Sequence, residues 1–492
     1  MTEQESTYNK ATDPGIDHYD VSVPSGEQSE IDYSETSEST GYFIEFENET
    51  LYFDSKDWRK SRLLKFQILA TFLVFIIFGL ADQTVGTLLP KFQEYYKIND
   101  MATSMIFLSV TSGYFILSLV SELCHKRLGI KGTTVLCCTL MTIAFSANSL
   151  KPPYPIILIS FFLFGCGCGG LDATLNSWAG YLRDSNQILG LMHGFYGIGC
   201  MIAPPIFTSL MEKSRRPWAW NECYTCLMAI GAITLALIIT TFRYETAKKF
   251  RYNALVLSKS RNEIELSNLD DLSGNDNDDS DGSFGDLTVP LSETLKSKYV
   301  WALAFLLFTY VGGESAFGEW LISYMKRVKK ALYHHASYMA TSYWTGVTLG
   351  RFVLGFVTAS YFSTELNASV VYVGLSFLGY AAFWFTSLFH KGFLLFIIVL
   401  FTGFVTGPIF PSTIVVGLTI LPIKYHSSAL GFICSFGGGG GAAVNFAVGA
   451  IAETDFGIKS FPFIIMITFA VLFMMWLGIY RACFKTYNRT AL

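Results

Sequence analysis

Charged residues are scarce in this sequence. Asp, Glu, Lys and Arg together make up only 15% of its 492 residues, whereas 51% of the residues are hydrophobic. Apolar runs of about 20 residues recur along the chain, which is the length that an α-helix needs to cross a bilayer. This composition argues against a water-soluble fold and indicates an integral membrane protein.

The sequence also lacks the residue sets that enzymes and metalloproteins need. It contains no recognisable set of nucleophile, base and oxyanion donor, so an enzyme is not predicted. Cys223 and Cys226 form a lone CxxC with no second pair and no His pair near it, so no metal and no other cofactor is expected. The Lys and Arg residues gather at the ends of the apolar runs, which gives no footprint for a nucleic acid. The first 60 residues have no apolar core of the secretory type, so no cleaved signal peptide is expected.

The chain does contain twelve apolar runs in two groups of six. Residues 1–60 are acidic and poor in aliphatic side chains and are predicted to be a disordered tail, and the charged segment 243–297 is predicted to be a disordered linker. A cluster of Lys and Arg at 56–65 predicts a cytoplasmic amino terminus, and twelve spans return the tail 484–492 to the same side. The predicted spans are 66–89, 102–121, 132–150, 155–181, 187–211 and 223–242 in the first group, and 298–322, 337–360, 369–389, 393–417, 426–452 and 461–483 in the second.

The two groups of runs repeat one another. Asp82 precedes Gly86 by four residues in the first span, and Glu314 precedes Gly318 by four residues in the seventh. A Leu-Gly pair followed by Phe, Gly and Gly also recurs with identical spacing in the fifth and eleventh spans. Internal repeats of this kind are typical of transporter folds. The predicted fold is an all-α membrane protein with 12 transmembrane helices in two six-helix pseudo-repeats, at 66–242 and 298–483.

Acidic residues inside the apolar runs are the first candidates for chemistry. A carboxylate at mid-membrane costs roughly 2.5–3.5 kcal/mol unless it is protonated, paired or hydrated. Asp82 is therefore a candidate for binding a proton or a substrate hydroxyl, the alternative being a hydrogen bond that only fixes helix packing. Asp172 and Asn176 are four residues apart, so they lie on one helical face and offer a carboxyl and an amide together. Glu314 is a candidate for the substrate site, whereas Glu319, nearer the end of its run, is expected to be solvated.

Four further side chains interrupt the apolar pattern. His193 is a candidate for substrate binding or proton relay, with core packing as the alternative. Tyr196, three residues later on the same face, either donates to a hydroxylated ligand or packs in the core. Trp320 is either a stacking platform for a ligand or an anchor at the membrane interface. Arg351 must find a carboxylate, a carbonyl or the cytoplasmic interface and is predicted to form a structural or gating ion pair. The sequence GPIFP at 407–411 is predicted to kink the tenth span.

These patterns resemble the major facilitator superfamily, and specifically its fucose-permease-like fungal branch. The first run has the pattern G-x-x-D-x-x-x-G-x-L-L-P at 79–90, and the fourth has G-x-G-x-G-x-x-acid-x-x-x-N at 165–176. In bacterial fucose permease the matching acids take part in proton-coupled sugar symport, so the resemblance implies those roles for Asp82 and Asp172.

The sequence departs from the family at two places. Tyr196 stands where the family has an asparagine in its fifth span, which leaves the identity of the sugar open. The loop after the second span has Lys126 where the family has an acid before its arginine, here Arg127. The gating salt bridge that this loop usually forms is therefore expected to be altered.

We therefore expect a secondary active transporter that moves a small hydroxylated solute, such as a monosaccharide, together with protons by alternating access. The proton gradient would supply the energy, with Asp82 and Asp172 exchanging the proton. Two alternatives stay open: a drug or organic-ion/proton antiporter, and a nutrient-sensing receptor with a transporter fold. A monomer in the plasma or vacuolar membrane is expected, with solute, protons and lipid as its partners. The residues expected to bind the solute are Asn176, His193, Tyr196, Glu314 and Trp320.

Overall fold

Long helices make up most of the structure. The structure, a computed structural model, describes residues 41–256, 291–389, 392–421 and 425–490. Its main helices, numbered in chain order, are α1 (Arg62–Tyr96), α2 (Asp100–Ser149), α3 (Tyr154–Gly180), α4 (Ser185–Met211), α5 (Trp220–Thr241), α6 (Lys298–Arg327), α7 (Tyr333–Tyr361), α8 (Glu365–Phe389), α9 (Phe393–Thr406), α10 (Ile409–Ile420), α11 (His426–Ala452) and α12 (Phe461–Thr490).

The twelve predicted spans can be traced onto these helices. Among the described residues, ten stretches are long and apolar enough to cross a membrane. One of them, α2, contains both the second and the third predicted span. The two spans are separated within α2 by a turn of the backbone at Gly129, where φ is 72°. A side chain at Gly129 would be strained, and its Cβ would clash with the backbone of Thr246. The eighth predicted span, α7, carries more polar side chains and is not among the ten. The all-α fold with twelve transmembrane helices is therefore confirmed.

The tenth span is broken in the middle. α9 ends at Thr406 and α10 begins at Ile409. Pro408, between them, has no N–H with which to continue the hydrogen bonding of α9. Gly407 lies so close to the backbone of α7 at Val347 that a Cβ would clash there. The kink predicted from GPIFP is confirmed.

Corresponding helices of the two repeats pack in corresponding ways. α1 packs against α4, and α6 packs against α11. Both crossings depend on glycine: Gly79 of α1 lies against the α4 backbone at Tyr196, and Gly440 of α11 lies against the α6 backbone at Phe308. We call α1–α5 the first half and α6–α12 the second half. Contacts of α4 with α7, α2 with α11 and α1 with α6 join the two halves.

A β-hairpin precedes α1, so the prediction that residues 1–60 are disordered is wrong for this part. β1 (Tyr42–Phe46) pairs with β2 (Glu49–Phe53) in an antiparallel arrangement. Glu47 and Asn48 between the strands both have positive φ, as a two-residue hairpin turn requires. The acidic average of the segment concealed the local aromatic and β-branched pattern that forms the strands.

The predicted linker also begins with regular structure. Residues 247–256 are helical, so the prediction of disorder over 243–297 is wrong at its start. Tyr252 of this helical segment contacts Phe46 and Phe53 of the hairpin, with ring centroids 5.3 and 5.4 Å apart. The parts of these predictions that lie outside the described residues are 1–40, 257–290 and 491–492.

The stretch between the hairpin and α1 and the segment after α5 are attached to the first half by hydrogen bonds. The guanidinium of Arg183, between α3 and α4, donates to Asp57 at 2.8 Å, and its backbone N–H donates to the carbonyl of Lys56 at 3.0 Å. The backbone N–H of Lys131 in α2 donates to the carbonyl of Glu245 at 2.9 Å. We call this end of the bundle, where α1 begins, the tail face, and the opposite end, where α1 ends, the far face.

Replacing Asp57 is expected to destabilise the tail face at neutral pH. The backbone N–H of Arg59, and after it the charge of Arg183, lower the pKa of Asp57, so its carboxylate contributes stability above the ordinary Asp pKa and loses it as the pH falls. Asp57→Asn should lower the thermal unfolding midpoint of the detergent-solubilised protein. The difference from wild type should shrink as the pH falls toward and below about 4. Glu122→Gln, which removes an exposed carboxylate paired only locally with Lys126, is the control. A midpoint for Asp57→Asn equal to wild type at neutral pH would contradict this role.

Candidate functional site

Asp82 lies in the middle of α1 and is held by a tyrosine from α4. The hydroxyl of Tyr196 donates to Oδ2 of Asp82 at 2.6 Å. The two helices approach closely because Gly79, one turn before Asp82, has no side chain to separate them. Asp82 forms no ion pair with any residue that the structure describes. A carboxyl group with a hydroxyl donor and no cationic partner can exchange a proton without breaking an ion pair.

Arg351 on α7 joins the two halves at the level of this pair. Its guanidinium donates to Oε1 of Glu314 on α6 at 3.0 Å and to the backbone carbonyl of His193 on α4 at 3.2 Å. It also lies over the ring of Tyr196, 5.9 Å from the centroid. The side chains of Arg351 and Glu314 are only 7% and 9% exposed. Asp82, Tyr196, Arg351 and Glu314 thus form a continuous polar chain from the first half to the second.

His193 takes part in this chain through its backbone and packs through its side chain. Its ring makes an edge contact with Phe75 of α1 and a tilted contact with Phe410 of α10, with centroids 5.5 Å apart in both cases. The imidazole therefore lies between aromatic groups of the two halves. The packing alternative given for His193 describes this arrangement, and its part in substrate binding stays a prediction.

The second predicted acid lies in a separate cluster on α3. Asn176 donates to Oδ1 of Asp172 at 2.8 Å, as their four-residue spacing predicts, and the hydroxyl of Tyr114 on α2 donates to Oδ2 at 2.6 Å. Oδ1 of Asn176 is buried and finds no partner among the described residues. Sequence analysis missed Tyr114, because a tyrosine in an apolar run gives no signal of its own. Tyr114 also lies against Gly438 of α11, so this cluster reaches the boundary with the second half.

Asp82 and Asp172 have similar surroundings. Each accepts a hydrogen bond from a tyrosine of a neighbouring helix, and each is part-buried. Within the described residues neither acid has a cationic partner, whereas Glu314 has Arg351. Asp82 and Asp172 are therefore suited to gain and lose protons, whereas the charge of Glu314 is already neutralised.

Glu319 and Trp320 occupy places that the sequence did not predict. Glu319 is 3% exposed, so the expectation that it is solvated is wrong. It lies where α6 crosses α1 closely at Gly86. Trp320 is fully buried and contacts Phe107 of α2, with ring centroids 6.4 Å apart, so it is not an anchor at the membrane interface. Its part in binding a solute stays a prediction.

The remaining candidate, Arg127, lies away from the site. It is exposed in the stretch between the second and third spans and forms no ion pair with a described residue. Its neighbour Lys126 pairs with Glu122 of the same helix at 2.8 Å. The altered salt bridge expected for this loop and a gating role for Arg127 both stay predictions.

Comparison with known proteins gives consistent matches over most of the chain. The family model described as Major Facilitator Superfamily matches residues 71–444. Bypass of stop codon protein 6 of Saccharomyces cerevisiae is 32% identical over 422 residues, which are 84% of this chain and 82% of that protein. The glucose/mannose transporter GlcP of Bacillus subtilis is 24% identical over 60% of this chain and 67% of its own length. The crystal structure of the E. coli fucose:proton symporter is similar over 84% of this chain and 98% of that chain, with a TM-score of 0.54 and 18% identity.

Removing one member of the buried ion pair is expected to destabilise the protein more than removing both. Glu314→Gln leaves the guanidinium of Arg351 without its carboxylate, and breaking a buried pair in this way typically costs about 3–5 kcal/mol. The double variant Glu314→Gln with Arg351→Met removes both charges and should recover much of that loss. Thermal unfolding midpoints of the purified proteins in detergent measure the difference. A double variant less stable than Glu314→Gln would show that the pair is not the source of the effect.

Proposed function

The chain belongs to the major facilitator superfamily, and on that premise we propose that it is a proton-coupled symporter of a small hydroxylated solute such as a monosaccharide. It is an integral, multi-pass membrane transporter and not an enzyme. The observation that carries the proposal of proton coupling is the shared construction of Asp82 and Asp172. Each is a carboxyl group inside a membrane-spanning helix that accepts a tyrosine hydroxyl and forms no ion pair within the described residues.

The energetics of these acids support proton exchange. Holding an ionised carboxylate at this depth in the membrane costs free energy. This cost favours the neutral, protonated form of each acid. Tyr196 and Tyr114 can donate to the ionised form and can remain in place beside the neutral form, because a hydroxyl both donates and accepts. Protonation therefore changes the local charge without requiring a new partner. A site of this kind can take up a proton on one side of the membrane and release it on the other.

The proposed solute class follows from the polar atoms near the acids. The unpartnered Oδ1 of Asn176 is an acceptor that a solute hydroxyl would satisfy. Asp172, beside it, is a further acceptor, and Tyr196 presents both a hydroxyl and an aromatic face. Sugars carry many hydroxyl groups that donate and accept hydrogen bonds on one small ring. The names of the relatives, a glucose/mannose transporter and a fucose:proton symporter, support the same class.

The contacts between the halves support alternating access. At the far face, Arg327 of α6 donates to Asp100 of α2 at 2.7 Å, and the backbone N–H of Asp100 donates to Glu453 after α11. These bonds must separate for the far face to open. With the predicted orientation, the tail face is cytoplasmic and the far face is external. Rocking of the halves about the polar chain of Asp82, Tyr196, Arg351 and Glu314 would then expose the site to each side in turn.

The test of coupling is the internal pH of proteoliposomes that contain the purified protein. Addition of the transported sugar from a panel of monosaccharides should acidify the interior, and Asp82→Asn and Asp172→Asn should each abolish this acidification. Asp455→Asn, which removes an exposed carboxylate at the far face, is the control and should behave like wild type. Sugar uptake without acidification in the wild type would contradict coupling. Efflux of cationic dyes in exchange for protons would instead favour an antiporter, and solute binding without uptake would favour a receptor.

Removing the amide of Asn176 should weaken solute binding. Asn176→Ala deletes the unpartnered acceptor, and the loss of one hydrogen bond worth about 1.4 kcal/mol corresponds to roughly a tenfold higher KM for uptake. Asn221→Ala is the matched control, because the Asn221 amide also donates to one group, the carbonyl of Ser149, and also has an unpartnered Oδ1, but it lies at the far-face end of α5. An unchanged KM in Asn176→Ala would remove Asn176 from the solute site.

A further inference from the structure

Glu319 is a buried acid that the proposed coupling scheme does not use. It is 3% exposed, and its Oε2 is buried without a hydrogen-bond partner among the described residues. Its position is on α6, in the second half, five residues beyond Glu314 toward the far face. Unlike Glu314, it has no arginine beside it within the described part of the chain.

The side chain of Glu319 lies at a crossing between the halves. A Cβ on Gly86 of α1 would clash with Oε2, Cα and the carbonyl of Glu319, so the two helices are as close as glycine allows. At the same crossing Gln83 donates to the carbonyl of Gly318 at 3.2 Å, and Tyr333 donates to the carbonyl of Thr87. These contacts close the far-face part of the boundary between α1 and the second half.

The titratable groups that interact with Glu319 are Asp82 on α1, Cys200 on α4 and Tyr224 on α5, and none of these is a cation. The backbone N–H of Gly86 favours the charged form, but a single neutral donor offsets only part of the cost of burying a charge. Asp82 is itself an acid and would repel an ionised Glu319. Burying an unpaired carboxylate costs far more than burying the neutral acid. The closed crossing therefore requires a neutral Glu319, and ionisation requires α1 and α6 to separate so that water reaches the carboxylate.

We propose that Glu319 is a third proton-binding site, distinct from Asp82 and Asp172, and that closing the far face takes up one proton at this carboxylate. The proton comes from the solution at the far face and returns to it when the face reopens. Because the closed form holds one more proton than the open form, raising the pH shifts the equilibrium toward the open form. The inference does not depend on coupling at Asp82, since it concerns the resting equilibrium without solute.

Two ion pairs also join the halves at the far face and must be separated from Glu319. The first joins Asp100 of α2 to Arg327 of α6. The second joins His334 of α7 to Glu212 at the end of α4, with 3.3 Å between its atoms, and is an ion pair only when the imidazole is protonated. His334→Gln is therefore the matched control for this pair.

The experiment measures the distance across the far face by pulsed electron resonance. Spin labels on noncanonical amino acids replace Tyr95 and Leu332, which are 48% and 61% exposed, so that the ten native cysteines stay in place. The full-length protein in lipid nanodiscs, without solute, is measured from about pH 5 to about pH 9. This range is wide enough to include the pKa of a buried carboxyl group. In wild type the open-to-closed ratio should rise with pH, with a limiting slope of about tenfold per pH unit for one proton.

Glu319→Gln should remain mainly closed and should lose this pH dependence, because an amide is neutral at every pH. His334→Gln should keep the dependence of wild type. Gly86→Ala should favour the open form at every pH, because its methyl group separates the helices. The proposal is overturned if Glu319→Gln keeps the wild-type slope, or if His334→Gln or Asp82→Asn removes it. Because no solute is present, the outcome is independent of the acidification test, in which Asp82→Asn and Asp172→Asn can fail or succeed separately.

Discussion

The absence of water in the bilayer interior governs this structure more than any single contact. Every charge in the spanning helices needs either an opposite charge or a proton. Arg351 has Glu314, and the resulting pair joins α6 and α7 to the carbonyl of His193 in the first half. Asp82 and Asp172 have tyrosine hydroxyls instead. The neutralised acid, Glu314, helps to hold the helices together. Asp82 and Asp172, which have no cation beside them among the described residues, are suited to exchange protons.

The two repeats differ in whether their equivalent acid has a cationic partner. Asp82 and Glu314 occupy equivalent places in the first and seventh spans, yet only the second half supplies an arginine. A gene duplication alone would produce two equivalent acids. The single cation at Arg351 makes one copy an ion pair and leaves the other able to titrate. The guanidinium of Arg351 also lies over the ring of Tyr196, whose hydroxyl donates to Asp82. A single side chain therefore separates Asp82 from the ion pair.

Sequence patterns predicted the parts of the structure that follow from local spacing. The twelve spans, the kink at 407–411 and the contact of Asp172 with Asn176 all depend on residues close in the chain. The hairpin at 42–53 was missed because composition averaged over a long acidic segment hides a short aromatic pattern. Three features could not be predicted, because each depends on which helices face one another. They are the burial of Glu319, the hydrogen bond from Tyr114 to Asp172 and the pairing of Arg351 with Glu314.

The spacing of an acid and a glycine four residues later places each acid beside a close contact between helices. Four residues are about one helical turn, so the glycine lies on the same face as the acid. Gly86 therefore places the close crossing with α6 one turn from Asp82, and Gly318 receives the ring of Trp344, whose indole donates to Gln83 of α1. Both glycines sit where the second half meets α1. A change of charge at either acid would therefore act about one turn from a close contact at the boundary between α1 and the second half.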